Sequence, residues 1–216
     1  MDLVRRWLDG WRLCRDLEPV IEDDDAYVAV LHLPGREREL FARTDDPATV
    51  ERLAARLPAD SWLTVTTDDG DELAERLTAA GLRPFEEQKT LMSIDPLSHP
   101  KGTAELESDG PLEYARVRVD GVVAAHGMAA IVGDDAVIHD IQTEPAYRRR
   151  GLGTVVMGAL AARAVERGAR TGLLMATTDG FGLYRRLGWV PEATMVTASG
   201  SARPVGGDLG PVLTGR

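Results

Sequence analysis

The stretch Ile138–Gly153 holds the residues best placed to do chemistry: Ile-His-Asp-Ile-Gln-Thr-Glu-Pro-Ala-Tyr-Arg-Arg-Arg-Gly-Leu-Gly. It opens as a strand, and Pro145 stops it, because proline cannot donate to a ladder. From Thr154 the chain reads as a helix. A strand that turns through glycine into a helix is a place to hold phosphate. The N–H groups of the first helical turn point outward with partial positive charge, and with the glycine turn before them this gives Gly151, Leu152, Gly153 and Thr154 as the anion-binding backbone. Gly151 and Gly153 let the backbone approach an anion with no Cβ between them. Arg148, Arg149 and Arg150 add charge suited to a polyphosphate. By themselves these arginines would sooner be read as a solvated basic turn.

The dinucleotide fingerprint Gly-x-Gly-x-x-Gly and the P-loop Gly-x-x-x-x-Gly-Lys-Ser/Thr are both missing. Arg148-x-x-Gly151-x-Gly153, after a strand ending Ile141-Gln142-Thr143-Glu144-Pro145, resembles the acetyl-CoA loop of the GCN5-related N-acetyltransferases (GNAT). That family carries Arg/Gln-x-x-Gly-x-Gly/Ala there, and its amides hold the CoA pyrophosphate. About thirty residues on, Leu183-Tyr184-Arg185-Arg186-Leu187-Gly188-Trp189 is similar to the family's Leu-Tyr-x-x-x-Gly-Phe segment. Members often carry Asn seven residues before that tyrosine and Ala four before it, where this chain has Thr177 and Gly180. Thr177 still offers a hydroxyl to the pantetheine arm.

The resemblance implies an acetyl-CoA-dependent N-acetyltransferase acting by direct attack of a primary amine, from a small molecule or a peptide, with no metal. Backbone groups of Ile141, Gln142 and Thr143 would pair with the pantetheine arm, one of them donating to the thioester carbonyl. Tyr184 matches the position of the family's general acid. A phenol near 10 facing a thiolate near 8.5 is an uphill donor, so it would stabilise the thiolate by hydrogen bonding before any proton moves. The plainer reading is a core tyrosine with a satisfied hydroxyl. Four residues compete as base: Asp140, His139, Glu144 and His126. Strand alternation puts Ile138, Asp140 and Gln142 on one face and His139, Ile141 and Thr143 on the other. If Ile141 packs on the helix, Asp140 faces the acceptor and suits a cationic amine. A histidine such as His139 has the more suitable ordinary pKa. His126, between alanines and a glycine, reads as a buried, satisfied histidine.

The rest of the chain supplies the elements that position these groups. Leu3, Val4, Trp7, Leu8, Trp11 and Leu13 form an amphipathic helix, read as packed core edge more than as a docking box. Strands follow at 27–33, 62–67 and 85–94, with helices from Asp46-Pro47 and from about Asp71 to Ala80. Asp120-Gly121 between apolar runs is a hairpin signal, joining strands at 113–119 and 122–131. A strand to Thr143, a helix to about Arg167, a strand at 171–177, a short helix and a strand at 189–198 complete the order. The fold class is α/β (α+β): a mixed, mostly antiparallel sheet flanked by helices, as in GNAT proteins. The expected divisions are an α/β region at 1–96, a linker at 97–110, an acetyl-CoA-binding core at 111–198 and an irregular tail at 199–216.

Leu63–Gly70 followed by Gly81-Leu82-x-Pro84 echoes Leu174–Gly180 followed by Gly188-Trp189-x-Pro191. This suggests a degenerate GNAT-like half before the working one, with chance similarity as the alternative. The single cysteine, Cys14, excludes an internal disulfide and fits a reducing, cytoplasmic setting. A net charge of −10, from 25 basic against 35 acidic residues, argues against nucleic acid, which needs a basic footprint. No window is apolar enough for a membrane span. The strand at 189–198 or the tail offers a surface for a homodimer. Two further classes stand beside the enzyme: a non-catalytic acyl-CoA-binding sensor, and an interaction protein on the same scaffold.

Overall fold

The computed structural model describes residues 2–95, 97–100 and 102–200. The expected tail beyond residue 200 lies outside them. Two compact units form, one from Met1–Cys14 with Glu87–Met195, the other from Arg15–Glu86 with the chain from Val196 on. The anticipated boundaries at 96 and 110 run differently, for two local reasons. Helix α1 (Leu3–Cys14) buries Val4, Trp7, Leu8, Trp11 and Cys14, the i, i+3, i+4 stripe of an amphipathic helix, on strands that come far later in the chain. The presumed linker also contains a strand.

In the unit of residues 15–86, β1 (Ile21–Glu22), β2 (Ala26–Leu33) and β3 (Arg36–Ala42) are antiparallel neighbours. The connection through α2 (Pro47–Arg56) makes β4 (Ser61–Thr67) parallel to β3. Helix α3 (Gly70–Ala79) and β5 (Arg83–Pro84) follow. Asp46 caps α2, its carboxylate accepting from Thr49 N–H at 3.0 Å. β3 was not expected from the sequence. Its Arg36 and Glu39 are buried because they pair with each other, while Glu39 also accepts from Thr64 Oγ1 at 2.5 Å. The expected strand at 85–94 is two pieces: β5 pairs here, whereas β6 (Lys89–Ile94) belongs to the other unit.

That other unit runs in the order β12–β6–β11–β10–β9–β8–β7. β7 (Glu105–Asp109), β8 (Leu112–Val119), β9 (Val122–Val132) and β10 (Asp135–Thr143) form an antiparallel meander. Asp120 and Gly121 both take positive φ, 51° and 80°, as a two-residue hairpin turn of this twist needs. Helix α4 (Leu152–Glu166) crosses over, so β11 (Thr171–Ala176) is parallel to β10. Then come α5 (Thr178–Arg186) and β12 (Val190–Ser199). α4 covers β8, β9 and β10 on one face and α1 covers β9 and β10 on the other. Gly10 makes the α1 contact close enough that a Cβ there would lie 2.3 Å from Val137 Cγ2.

The order antiparallel pair, helix, parallel strand, helix, strand thus occurs twice, as β2-β3-α2-β4-α3-β5 and as β9-β10-α4-β11-α5-β12. In each unit the strand after the second helix pairs with a strand from the other half of the chain. β5 pairs with the end of β12, and the start of β12 pairs with β6.

Candidate active site

The site begins where two parallel strands part. β10 pairs with β11 only over Asp135–Val137 against Thr171–Leu173, yet it runs on to Thr143. Beyond Val137 its edge facing β11 is open. Glu144 N–H donates to Ala124 O at 2.9 Å, so alternation aims the backbone of Gln142 at β9 and leaves Ile141 and Thr143 facing the opening. An extended chain laid into that opening meets backbone donors and acceptors in the way an added strand would.

The opening leads into the glycine loop. A single 3-10 turn, Pro145–Tyr147, breaks the strand. Arg148 folds back, its Nε donating to the carbonyl of Thr143 at 3.2 Å, which occupies one acceptor of the open edge. Arg150 lies over the Tyr147 ring, 5.2 Å from its centroid, and all three arginines are exposed. Arg149 and Gly151 both adopt left-handed φ, 63° and 79°. The first donor with a partner inside α4 is Val155 N–H, to Gly151 O at 3.2 Å. Leu152, Gly153 and Thr154 precede it, with no helical acceptor for their N–H groups. At Gly153 a Cβ would come within 3.1 Å of Leu183 Cδ2 and 3.9 Å of Thr143 Oγ1, so glycine brings α4, α5 and the end of β10 together. These residues fit a pyrophosphate: an anion here meets amides without a helical acceptor, a helix N-terminus and exposed guanidinium groups.

α5 supplies the next group. Thr177, where the family resemblance put an asparagine, is its N-cap, with Oγ1 accepting from Gly180 N–H at 3.2 Å. The hydroxyl proton of Thr177 stays free to donate. Tyr184 is buried in the core cluster that also holds Leu183, Ile141 and Leu152, edge-on to Trp189 at 6.2 Å. A Cβ at Gly180 would sit 2.9 Å from Tyr184 Cε2, so the missing methyl makes room for the ring. Burial alone pushes the Tyr184 phenol up to about 12. Gly172 in β11 likewise admits Trp189, whose Cη2 would stand 2.7 Å from a Cβ there.

The base candidates come together at a bulge. Asp140 has φ of 54°, and the register of β10 against β9 shifts between His139 and Gln142. This overturns the simple alternation expected for the strand. Ile138 and Ile141, three residues apart, both pack in the α4-side core, because the bulge resets the faces. His139 pairs with Met128, which packs with Cys14 of α1, so it lies on the α1 face. His126, expected to be a buried satisfied residue, is only half-buried, with Nε2 3.6 Å from Asp140 Oδ2. Gln142 Nε2 donates to the other oxygen of that carboxylate at 2.6 Å. The facing His126 imidazole is the largest influence holding Asp140 below the usual carboxylate range; desolvation opposes it, and Gln142 and His139 add to it. Glu144 is exposed and takes part through its backbone, its carbonyl accepting from Tyr147 N–H at 2.8 Å. Cys14 is buried against Val137 O at 3.9 Å, and burial raises its thiol to about 12, which makes it a packing residue.

Parted parallel strands, a glycine-hinged helix start and a tyrosine on the following helix are the features that this part of the mixed sheet brings together. Residues 79–189 match the Acetyltransferase (GNAT) family, and the chain belongs to it. No curated protein matches its sequence. Among solved structures it is similar to a GCN5-related N-acetyltransferase from Kribbella flavida, 20% identical, with a TM-score of 0.63, covering 92% of this chain and 96% of that one. A conserved protein of unknown function from Staphylococcus epidermidis ATCC 12228 is 12% identical, with a TM-score of 0.59, covering 87% and 96%. A tandem GNAT protein from the clavulanic acid biosynthesis pathway is 12% identical, with a TM-score of 0.52, covering 83% and 79%. At these identities the likeness concerns the fold.

Proposed function

We propose that this chain is an acetyl-CoA-dependent N-acetyltransferase that passes the acetyl group to a primary amine, of a small molecule or a peptide, by direct attack. The observation carrying this reading is the open edge of β10 at Ile141 and Thr143 running straight into the N–H groups of Leu152, Gly153 and Thr154, which precede the first helical hydrogen bond of α4. The pantetheine arm would lie along that edge, its pyrophosphate at the helix start with Arg148, Arg149 and Arg150 around it, and Thr177 within reach of its amides. The neutral phenol of Tyr184, a weaker acid than the CoA thiol near 8.5, would act by donating a hydrogen bond to the departing sulfur and not by giving up its proton.

The residue 15–86 unit is best read as a second GNAT-like half without the acetyl-CoA loop. Its repeated element order supports this. So does the start of α2, the counterpart of the α4 start, where the Asp46 carboxylate already occupies the amide that a phosphate would need. The resulting protein works in the cytoplasm, with neither nucleic acid nor membrane as partner.

Free-thiol release from acetyl-CoA, measured with polyamines, aminoglycosides, amino acids and basic peptides, tests the reading. Amine-dependent release that falls about tenfold or more in Tyr184→Phe is expected. Calorimetry showing no acetyl-CoA binding would overturn it. Binding without turnover would leave an acyl-CoA sensor.

A further inference from the structure

We infer that His126 is the base that takes the proton from the acceptor ammonium, and that Asp140 is its positioning residue. This rests on the acetyltransferase reading above. Three features converge on the pair. Asp140 is a non-glycine residue held at φ 54°, in a conformation that side chains other than Asn and Asp rarely adopt, three residues beyond the last pairing of β10 with β11 at Val137. The bulge turns its carboxylate across to β9, where His126 Nε2 stands 3.6 Å from Oδ2, and Gln142 fixes the opposite oxygen. Both side chains lie on the face away from α4 and its phosphate-binding start, and each keeps some exposure, 37% for His126 and 22% for Asp140. The carboxylate lies 3.6 Å from Nε2, longer than a hydrogen bond, and its negative charge favours the tautomer with the proton on that nitrogen, which leaves Nδ1 as the acceptor.

The surrounding charges are accounted for. On β8, Arg116 is the register partner of His126 but is ion-paired to Glu107 of β7 at 2.6 Å, and Tyr114 lies under the Arg116 guanidinium. On β10, His139 stands beside Asp140, and from α1 the buried Cys14 thiol feels the same carboxylate. Asp140 is thus the anion presented to the imidazole.

In the reaction the ammonium of the acceptor gives one proton to Nδ1 of His126. The neutral nitrogen attacks the thioester carbonyl carbon, the N–C bond forms and the C–S bond breaks. The nitrogen's second proton leaves with the sulfur as CoA thiol, and the imidazolium returns its proton to water.

The test pairs kinetics with a spectroscopic reading on the full chain. Ethylamine, 1,4-diaminobutane and a lysyl peptide serve as acceptors, with 2,2,2-trifluoroethylamine as an amine largely neutral at pH 7. His126→Gln should lower kcat/KM for the ammonium acceptors by about 10²- to 10⁴-fold. Acetyl-CoA affinity should hold, and the loss should shrink to within about tenfold for trifluoroethylamine, which needs no base. Nitrogen NMR of the imidazoles should place the neutral His126 proton on Nε2, and Asp140→Asn should mix the tautomers. Wild-type turnover with His126→Gln within threefold of it, an equal loss for the neutral amine, or a proton on Nδ1 would each overturn the inference while the transferase reading stands. A wild-type protein that acetylates neither these amines nor any aminoglycoside or amino acid overturns both.

Discussion

Replacing Gly180 by alanine tests how tightly the tyrosine is seated. A helix gains from alanine over glycine by up to about 1 kcal/mol in its interior, and by roughly half that in a first turn such as this. Against it stands the contact of the new methyl with Tyr184 Cε2 at 2.9 Å and with the capping Thr177 Oγ1 at 3.3 Å. The ring has little room to retreat, because it is 9% exposed and rests edge-on against the fully buried Trp189. Overpacking of this kind costs about 2 kcal/mol. The balance is a net loss of roughly 1.5 kcal/mol, or about 4 °C in melting temperature for a chain of this size. Thiol release should fall in parallel by about tenfold, as the phenol is pushed off its line. In a Tyr184→Leu background the same Gly180→Ala change should become a gain of about 0.5 kcal/mol, a coupling of about 2 kcal/mol in a double-mutant cycle. An alanine variant that melts higher than the wild type and turns over at the same rate would refute the seating of Tyr184 by Gly180.

Other perturbations separate loop, core and surface. Gly151→Ala forces a side chain to φ 79°, costing about 1–2 kcal/mol; acetyl-CoA affinity by calorimetry should weaken at least tenfold, and an unchanged affinity in the destabilised variant would detach the loop from pyrophosphate binding. Glu113 is fully buried, and although desolvation pushes its carboxyl up, Ser108, Arg167 and Arg163 together draw it below its ordinary 4.5. Because its folded value is depressed, its contribution is complete above about pH 4.5 and is lost as pH falls through the folded value. Glu113→Gln should therefore cost about 2 kcal/mol at pH 7, with the arginines partly rehydrated, and progressively less in urea titrations as pH falls below about 4.5. Iodoacetamide at pH 8 should leave Cys14 unlabelled in the native protein and label it fully in urea, since burial holds the thiol near 12.

Sequence patterns reveal the parts of this fold that depend on local chemistry. The Asp120-Gly121 turn, the Asp46 cap, the glycine loop before α4 and the Tyr184 segment all announce themselves through residues few in type and close in sequence. The parts that stayed hidden depend on partners far along the chain. β3 reads as Arg-Glu-Arg-Glu, a surface pattern, and only the ion pair of Arg36 with Glu39 and the Thr64 hydroxyl make it a buried strand. β7, Glu105–Asp109, is exposed at every residue and looks like linker until β8 supplies its hydrogen bonds. The bulge at Asp140 has neither glycine nor proline to mark it, so the meeting of Asp140 with His126, fourteen positions apart, follows from register alone.

The pairing of β12 sets an order of events during synthesis. Its first residues complete the β6 edge of one unit, and its last residues, with Thr197 Oγ1 2.7 Å from Thr64 Oγ1, lie beside β4 in the other. A ribosome that has released residues 15–86 has therefore delivered a sheet whose inner strand is still more than a hundred residues from being made. The early half must wait, its β4 edge unsatisfied, until the chain has emerged as far as Ser199. Contacts this distant in sequence make folding slow and leave the nascent chain dependent on protection from association. A fragment ending at residue 96 would lack that strand permanently, so the two halves live or fail as one translated piece.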